Sequence, residues 1–93
     1  MLEKDIENKF VRYAKKQGCL ALKWSSPSTR FVPDRIIFCP GGIIFFIEFK
    51  TATGTLSPGQ TRMIHRLINL GFKVEVCRSF EQAKDLLDYV LSP

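Results

Sequence analysis

Between residues 3 and 17 the apolar side chains fall at Ile6, Phe10, Val11 and Ala14, with charged residues between them. This i, i+4, i+5, i+8 spacing is that of a helix with one apolar face, and Gly18 ends it. Leu20 to Trp24 alternates briefly, as a short strand does, and Ser25-Ser26-Pro27-Ser28-Thr29-Arg30 is a polar, turn-rich loop of the kind that often touches ligands. Two runs of β-branched and aromatic residues follow, over 34–39 and 43–50. Pro40-Gly41-Gly42 separates them, which is a hairpin signal. Ser57-Pro58-Gly59-Gln60 then supplies a helix cap, a proline suited to the first helical position and a glutamine that completes a capping box. The pattern predicts a helix from Pro58 to Leu70, with Met63, Ile64, Leu67, Ile68 and Leu70 toward the sheet and Gly71 as its stop. Phe72 to Cys77 alternates as a strand. Ser79 and Gln82 repeat the capping-box pattern before a last helix that turns Phe80, Ala83, Leu86, Leu87, Val90 and Leu91 inward. The order α-β-β-β-α-β-α predicts an α/β fold, a mixed central sheet flanked by helices. Both hairpin strands are apolar at nearly every position and so call for cover on both faces.

Ninety-three residues leave room for one domain, spanning 1–93. With 45% hydrophobic and 25% charged residues the chain is far from the composition of disorder. Its longest apolar runs, 36–39 and 43–47, fall well short of the roughly 20 residues needed to span a bilayer. Met1-Leu2-Glu3-Lys4-Asp5 does not read as a secretory signal. The expected location is therefore the cytoplasm, with no membrane partner. Cys19, Cys39 and Cys77 are widely spaced, odd in number and set among apolar residues, so they read as small buried hydrophobes. With no C-x-x-C pair and a single histidine, His65, any metal would be held by oxygen ligands. A formal charge of +5 favours a polyanionic partner, nucleic acid above all. Trp24 and the phenylalanines read as core residues rather than base-stacking groups.

The charges in the hairpin change this picture most. A strand as apolar as Ile43-Ile44-Phe45-Phe46-Ile47 ends in Glu48-Phe49-Lys50, so Glu48 and Lys50 share a face and Phe49 points to the other. Asp34, after Pro33, opens the preceding strand. If Pro40-Gly41-Gly42 is a three-residue loop, Cys39 pairs with Ile43 and Asp34 falls opposite Glu48. A two-residue Gly41-Gly42 loop would instead put the two carboxylates on opposite faces. Three-residue hairpins commonly use a type I turn followed by a left-handed residue, which suits Pro40 first and Gly42 last. Opposed residues lie roughly 4.5–5.5 Å apart at Cβ. Two carboxylates that close repel unless a cation lies between them, and Mg²⁺ suits one or two carboxylates together with phosphate and water.

Pro33-Asp34 followed by Glu48-Phe49-Lys50 matches the PD-(D/E)XK nuclease pattern. With Glu7, Val32-Pro33-Asp34-Arg35, Gly41-Gly42, Phe46-Ile47-Glu48-Phe49-Lys50, Leu56-Ser57-x-x-Gln60 and Leu70-Gly71, the chain resembles the viral-type replication and repair nuclease (VRR-NUC) domain over nearly its whole length. The resemblance implies a restriction-endonuclease-like fold similar to that of the archaeal Holliday-junction resolvases, and a homodimer for a stand-alone viral chain of this length. It implies a Mg²⁺- or Mn²⁺-dependent endonuclease acting on branched or structured DNA, in a viral or bacterial setting within the host cell. It also assigns roles: Asp34 and Glu48 as metal ligands with the backbone carbonyl of Phe49, Lys50 as the group that orients or activates the attacking water, and Glu7 reaching the site directly or through water. One departure is Phe31, where relatives usually carry glycine, and it bears on the shape of the preceding loop.

Several residues keep two readings. Glu3 lies one turn from Glu7 and could supply the first helix's acid in its place. Gln60 either caps its helix or faces the active site. Lys23, Arg30, Arg35 and Arg62 are candidate phosphate contacts or plain surface charges. A dimer would suit paired cuts in a four-way junction and a monomer a flap or nick. The other functions to be weighed are a nucleic-acid-binding module without catalysis and a subunit active only with a partner.

Overall fold

The computed structural model describes residues 2–93. Helix α1 (Glu3–Lys16) precedes strand β1 (Leu20–Lys23), the hairpin of β2 (Arg35–Cys39) and β3 (Ile43–Phe49), helix α2 (Pro58–Asn69), strand β4 (Val74–Cys77) and helix α3 (Phe80–Leu91). The element order is the one the sequence predicts, with ends displaced by one or two residues. The four strands lie in the order β1-β2-β3-β4. The first three are antiparallel and β4 runs parallel to β3, so the sheet is mixed.

Opposed residues in neighbouring strands face the same side, so the register divides the sheet into two layers. Ile37, Phe45, Ile47, Phe49 and Cys77 meet Ile6, Phe10 and Ala14 of α1 and Ala83 and Leu87 of α3 in the main core. On the other face α2 brings Ile64 and Leu67 against Phe46 and Val74, with Trp24 and Ile36 beside them. That second layer is narrower than the sequence suggests. Only Ile64 of the expected α2 stripe is buried, while Ile68 and Leu70 are 47% and 74% exposed. One helix cannot cover four strands, so Leu20, Leu22, Phe38 and Ile44, which share the α2 face, also stay open to solvent. The expectation of hairpin strands buried on both faces fails at this end of the sheet.

Cys39 opposes Ile43, as the three-residue turn requires. The turn itself differs from expectation. Gly41 stands at φ 83°, ψ 9° and Gly42 at φ 78°, so both glycines are left-handed. Gly41 thus fits the third position of a type II turn rather than type I. The parity is unchanged, because three residues still separate the paired positions.

The capping box of α2 is complete. The Ser57 hydroxyl accepts from the Gln60 N–H at 3.1 Å, and the Gln60 side-chain carbonyl accepts from the Ser57 N–H at 2.9 Å. At α3 only half the pattern forms: Ser79 accepts from the Gln82 N–H at 3.0 Å, but the Gln82 side chain reaches one residue further back to the N–H of Arg78. The Arg78 guanidinium donates to the carbonyls of Thr51 and Gly54, pinning the loop that follows Lys50. All three cysteines are buried and free. Burial pushes the Cys77 thiol up to about 12, so it stays protonated and acts as a small apolar group. Among the described residues no helix is long and apolar enough to cross a membrane.

Candidate active site

Trp24 N–H donates to the carbonyl of Asp34 at 3.0 Å, which extends the β1–β2 pairing one residue past Arg35. Continuing the β2–β3 register outward from Arg35 and Ile47 sets Asp34 opposite Glu48. The Asp34 carboxylate accepts the Phe49 N–H at 2.8 Å, a bond that fixes its side chain at the strand end. A strand residue's N–H and C=O point to the same neighbour, so the Phe49 carbonyl is turned to the Asp34 side of β3 as well. Sheet geometry thus brings together Asp34, Glu48 and the Phe49 carbonyl.

Glu48 is 3% exposed, unusual for a carboxylate at a strand end. Its Oε2 receives the Gln60 side-chain amide at 3.2 Å and has the Lys50 ammonium at 3.9 Å. Gln60 therefore both caps its helix and contacts Glu48. Its carbonyl closes the capping box while its amide holds Glu48, so the fixed first turn of α2 also fixes the orientation of an acidic side chain. The two readings conflict only if one end of the amide must do both jobs.

Glu3, Asp34 and Glu48 each place a carboxylate oxygen within 4.8 Å of the others. The third acid of this cluster is Glu3, from the first turn of α1. Glu7, one turn later, is 8% exposed and accepts from Arg35 Nε at 2.6 Å and Lys23 Nζ at 3.2 Å. Two cations neutralise it. Arg35 also donates to the Ala21 carbonyl at 3.1 Å, which makes it a strut between α1 and the sheet. Lys23 keeps an exposed flank despite its pairing. Arg30 and Arg62 line a groove beside α2, and no carboxylate lines it with them. His65 is exposed on the far side of α2 from the sheet.

Crowded acids at a buried strand end raise one another's proton affinity. Burial pushes the Glu48 carboxyl up to about 7, the charge of Asp34 adds to this, and the Lys50 ammonium opposes it. Asp34 is raised too, first by burial, while the Phe49 N–H pulls it back. Three carboxylates in mutual reach, two of them with raised proton affinity, make a set of hard oxygen donors. Such a set matches a divalent cation, which would relieve the repulsion that burial enforces.

A paired-carboxylate and lysine site at the end of a mixed sheet defines the class: a PD-(D/E)XK-type nuclease fold. The model of the VRR-NUC domain matches residues 3–81, and the chain belongs to this family. "Putative nuclease p44" of Acyrthosiphon pisum secondary endosymbiont phage 1 is 40% identical over 77 residues, 83% of each chain. A solved VRR-NUC domain structure superposes with a TM-score of 0.86 at 27% identity, covering 94% of this chain and 95% of the other.

Sequence reasoning held Glu3 only as the alternative to Glu7. The two share a helix face, and only the packing of Arg35 and Lys23 against Glu7 separates them. It passed over Arg66, although Gly59, Arg62, Met63 and Arg66 fall at i, i+3, i+4, i+7 on one stripe of α2, a spacing visible in the chain.

Proposed function

We propose that this chain is a Mg²⁺- or Mn²⁺-dependent endonuclease that hydrolyses phosphodiester bonds in branched or structured DNA during replication, recombination or repair, inside a cell that a virus or bacterium occupies. The observation that carries this reading is the convergence of Glu3, Asp34 and Glu48 within 4.8 Å, with Lys50 3.9 Å from Glu48. Asp34, Glu48 and the Phe49 carbonyl would hold the cation, with Glu3 completing the set from α1. A bound divalent cation would polarise the scissile phosphate and lower the pKa of water so that hydroxide is available as nucleophile near neutral pH. Lys50 steadies the negative charge that develops on the phosphate oxygens and orients the water for in-line attack. Gln60 acts through Glu48 by holding its carboxylate, and Glu7 acts through Arg35 and Lys23 by anchoring α1 to the sheet.

Incubating the protein with labelled four-way junction, flap, duplex and single-stranded DNA, in Mg²⁺, Mn²⁺ or EDTA, tests this directly. Cleavage of a branched substrate in either cation and none in EDTA is the expected result. Binding without cleavage on every substrate would leave a nucleic-acid-binding module, and cleavage regained on adding a cellular replication fraction would mean a partner-dependent subunit.

A homodimer is part of the same reading. Leu20, Leu22, Phe38 and Ile44 form an open apolar face on one side of the sheet, and Phe72, stacked edge-on against Phe46 at 5.6 Å, extends it. Exposed apolar surface of this kind marks an interface, and a two-fold copy would cover it with its own equivalent. Scattering should give twice the 10.7 kDa chain mass, and Phe38→Glu should return the protein to a single chain without unfolding it. A monomeric mass for the unmodified protein at all concentrations would remove the dimer.

A further inference from the structure

Phe31 has a half-exposed ring on a backbone at φ 70°, the left-handed region that glycine prefers. The loop thus holds a large aromatic side chain in a backbone conformation that favours glycine. The ring lies against residue 59, which has no side chain: a Cβ there would fall 2.5–2.6 Å from Cδ2, Cε2 and Cζ, so any larger residue would displace the ring. The ring forms one wall of a groove of about 440 Å³ against α2, with Arg30, Arg62, Met63 and Arg66 among its lining and no acid. Arg30 sits over the ring at 5.2 Å from its centroid. Among the described residues none of the three guanidiniums is in an ion pair.

Two short stretches of chain tie the groove to the residues of the acidic cluster. Gly59 is next to Gln60, whose amide holds Glu48. Phe31 is three residues before Asp34, a length of chain that spans at most about 11 Å. A half-exposed aromatic among unpaired guanidiniums can take an unpaired nucleotide: with Gly59 against one face of the ring, a base would stack on the other in place of Arg30, and the arginines would meet the flanking phosphates. Duplex bases are already stacked on one another and would have to unstack to use the ring, at an energetic cost for each step.

We propose that Phe31, seated on Gly59 and flanked by Arg30, Arg62 and Arg66, is a stacking platform for an unpaired base of single-stranded DNA next to the cleavage site. It selects branched substrates that carry a single-stranded arm. The inference rests on the nuclease reading for its purpose, but its test is independent of cleavage.

The experiment is anisotropy binding in EDTA, where no cutting occurs, with a short single-stranded oligonucleotide carrying 2-aminopurine and a matched duplex. The unmodified protein should quench the 2-aminopurine on binding the single strand. Phe31→Gly, which suits the backbone conformation, should keep its melting temperature near that of the parent. It should lose the quenching and bind the single strand about 5- to 150-fold more weakly, the range for one lost base–aromatic stack, with duplex binding changed less than about twofold. Phe31→Tyr should restore both the quenching and the affinity. Arg62→Ala with Arg66→Ala should weaken both ligands and flatten the salt dependence, as loss of phosphate contacts does. The platform is overturned if Phe31→Gly weakens single strand and duplex equally, if it weakens neither, or if the unmodified protein leaves 2-aminopurine unquenched. A protein that shows the Phe31-dependent binding yet cuts nothing in Mg²⁺ or Mn²⁺ would keep the platform and lose the nuclease.

Discussion

Lys50→Ala is expected to slow phosphodiester cleavage by about 10²–10³-fold under single-turnover conditions, the loss typical when a group aimed at developing transition-state charge is removed. The Lys50 side chain is only 14% exposed and its ammonium lies 3.9 Å from Glu48, so it is confined to the carboxylate cluster rather than free to follow any phosphate. On the proposed mechanism its contribution would belong to the transition state. Substrate affinity should therefore change far less than the rate, and the loss should appear in kcat more than in KM. Lys50→Arg should not rescue, because a planar guanidinium cannot occupy the place of a compact ammonium against a 3% exposed carboxylate. Removing Lys50 also removes the nearest charge that favours ionised Glu48, so the acid limb of the pH–rate profile should move to higher pH in this variant. A rate within about threefold of the parent would remove Lys50 from the chemistry, since even one lost hydrogen-bond donor to the transition state costs more than that.

Without divalent cation, Glu48→Gln is expected to make the protein more stable at pH 8, by about 3 kcal/mol. Burial and the charge of Asp34 raise the Glu48 carboxyl from 4.5 to about 7 in the folded chain, and at about 1.4 kcal/mol per pH unit that difference sets the scale. The folded protein binds this proton more tightly than the unfolded chain does. Between pH 4.5 and 7 it therefore holds more protons, so stability falls as pH rises through that window and the penalty is fully present above it. Asp34 is shifted in the same direction. Urea unfolding in EDTA should show the unmodified protein losing stability from pH 5 to pH 8, and Glu48→Gln losing much less. Mg²⁺ or Mn²⁺ should restore the unmodified protein at pH 8 by binding the folded state alone, with little effect on the glutamine variant. Equal stability of the two proteins at pH 8 in EDTA would mean that Glu48 is not held as a strained, buried acid.

The order of the elements was legible because each carries a local signal: the period of α1, the Pro-Gly-Gly turn, and the Ser57 and Ser79 caps. The opposition of Asp34 and Glu48 was legible for a related reason, since strand parity depends only on how many residues the turn holds, whichever turn type they adopt. Choices between neighbours on one face were not legible. Glu3 and Glu7 are one helical turn apart, and the partners that neutralise Glu7 come from β1 and β2. How much of the apolar hairpin stays open was not legible either, because whether Phe38 and Ile44 are covered depends on the width of α2 against four strands. Phe31 looked like a core residue by type, and its position is decided instead by the missing side chain at Gly59, which no local pattern reports.

The most direct test of the site is cleavage of one branched DNA by the unmodified protein and by Asp34→Asn, each in Mg²⁺ and in EDTA, with folding of the variant checked by thermal melting. The expected result is cutting by the unmodified protein in Mg²⁺ only, and none by folded Asp34→Asn in either condition. Undiminished cutting by Asp34→Asn, or cutting that persists in EDTA, would contradict the assignment of Asp34, Glu48 and Lys50 as a divalent-cation nuclease centre.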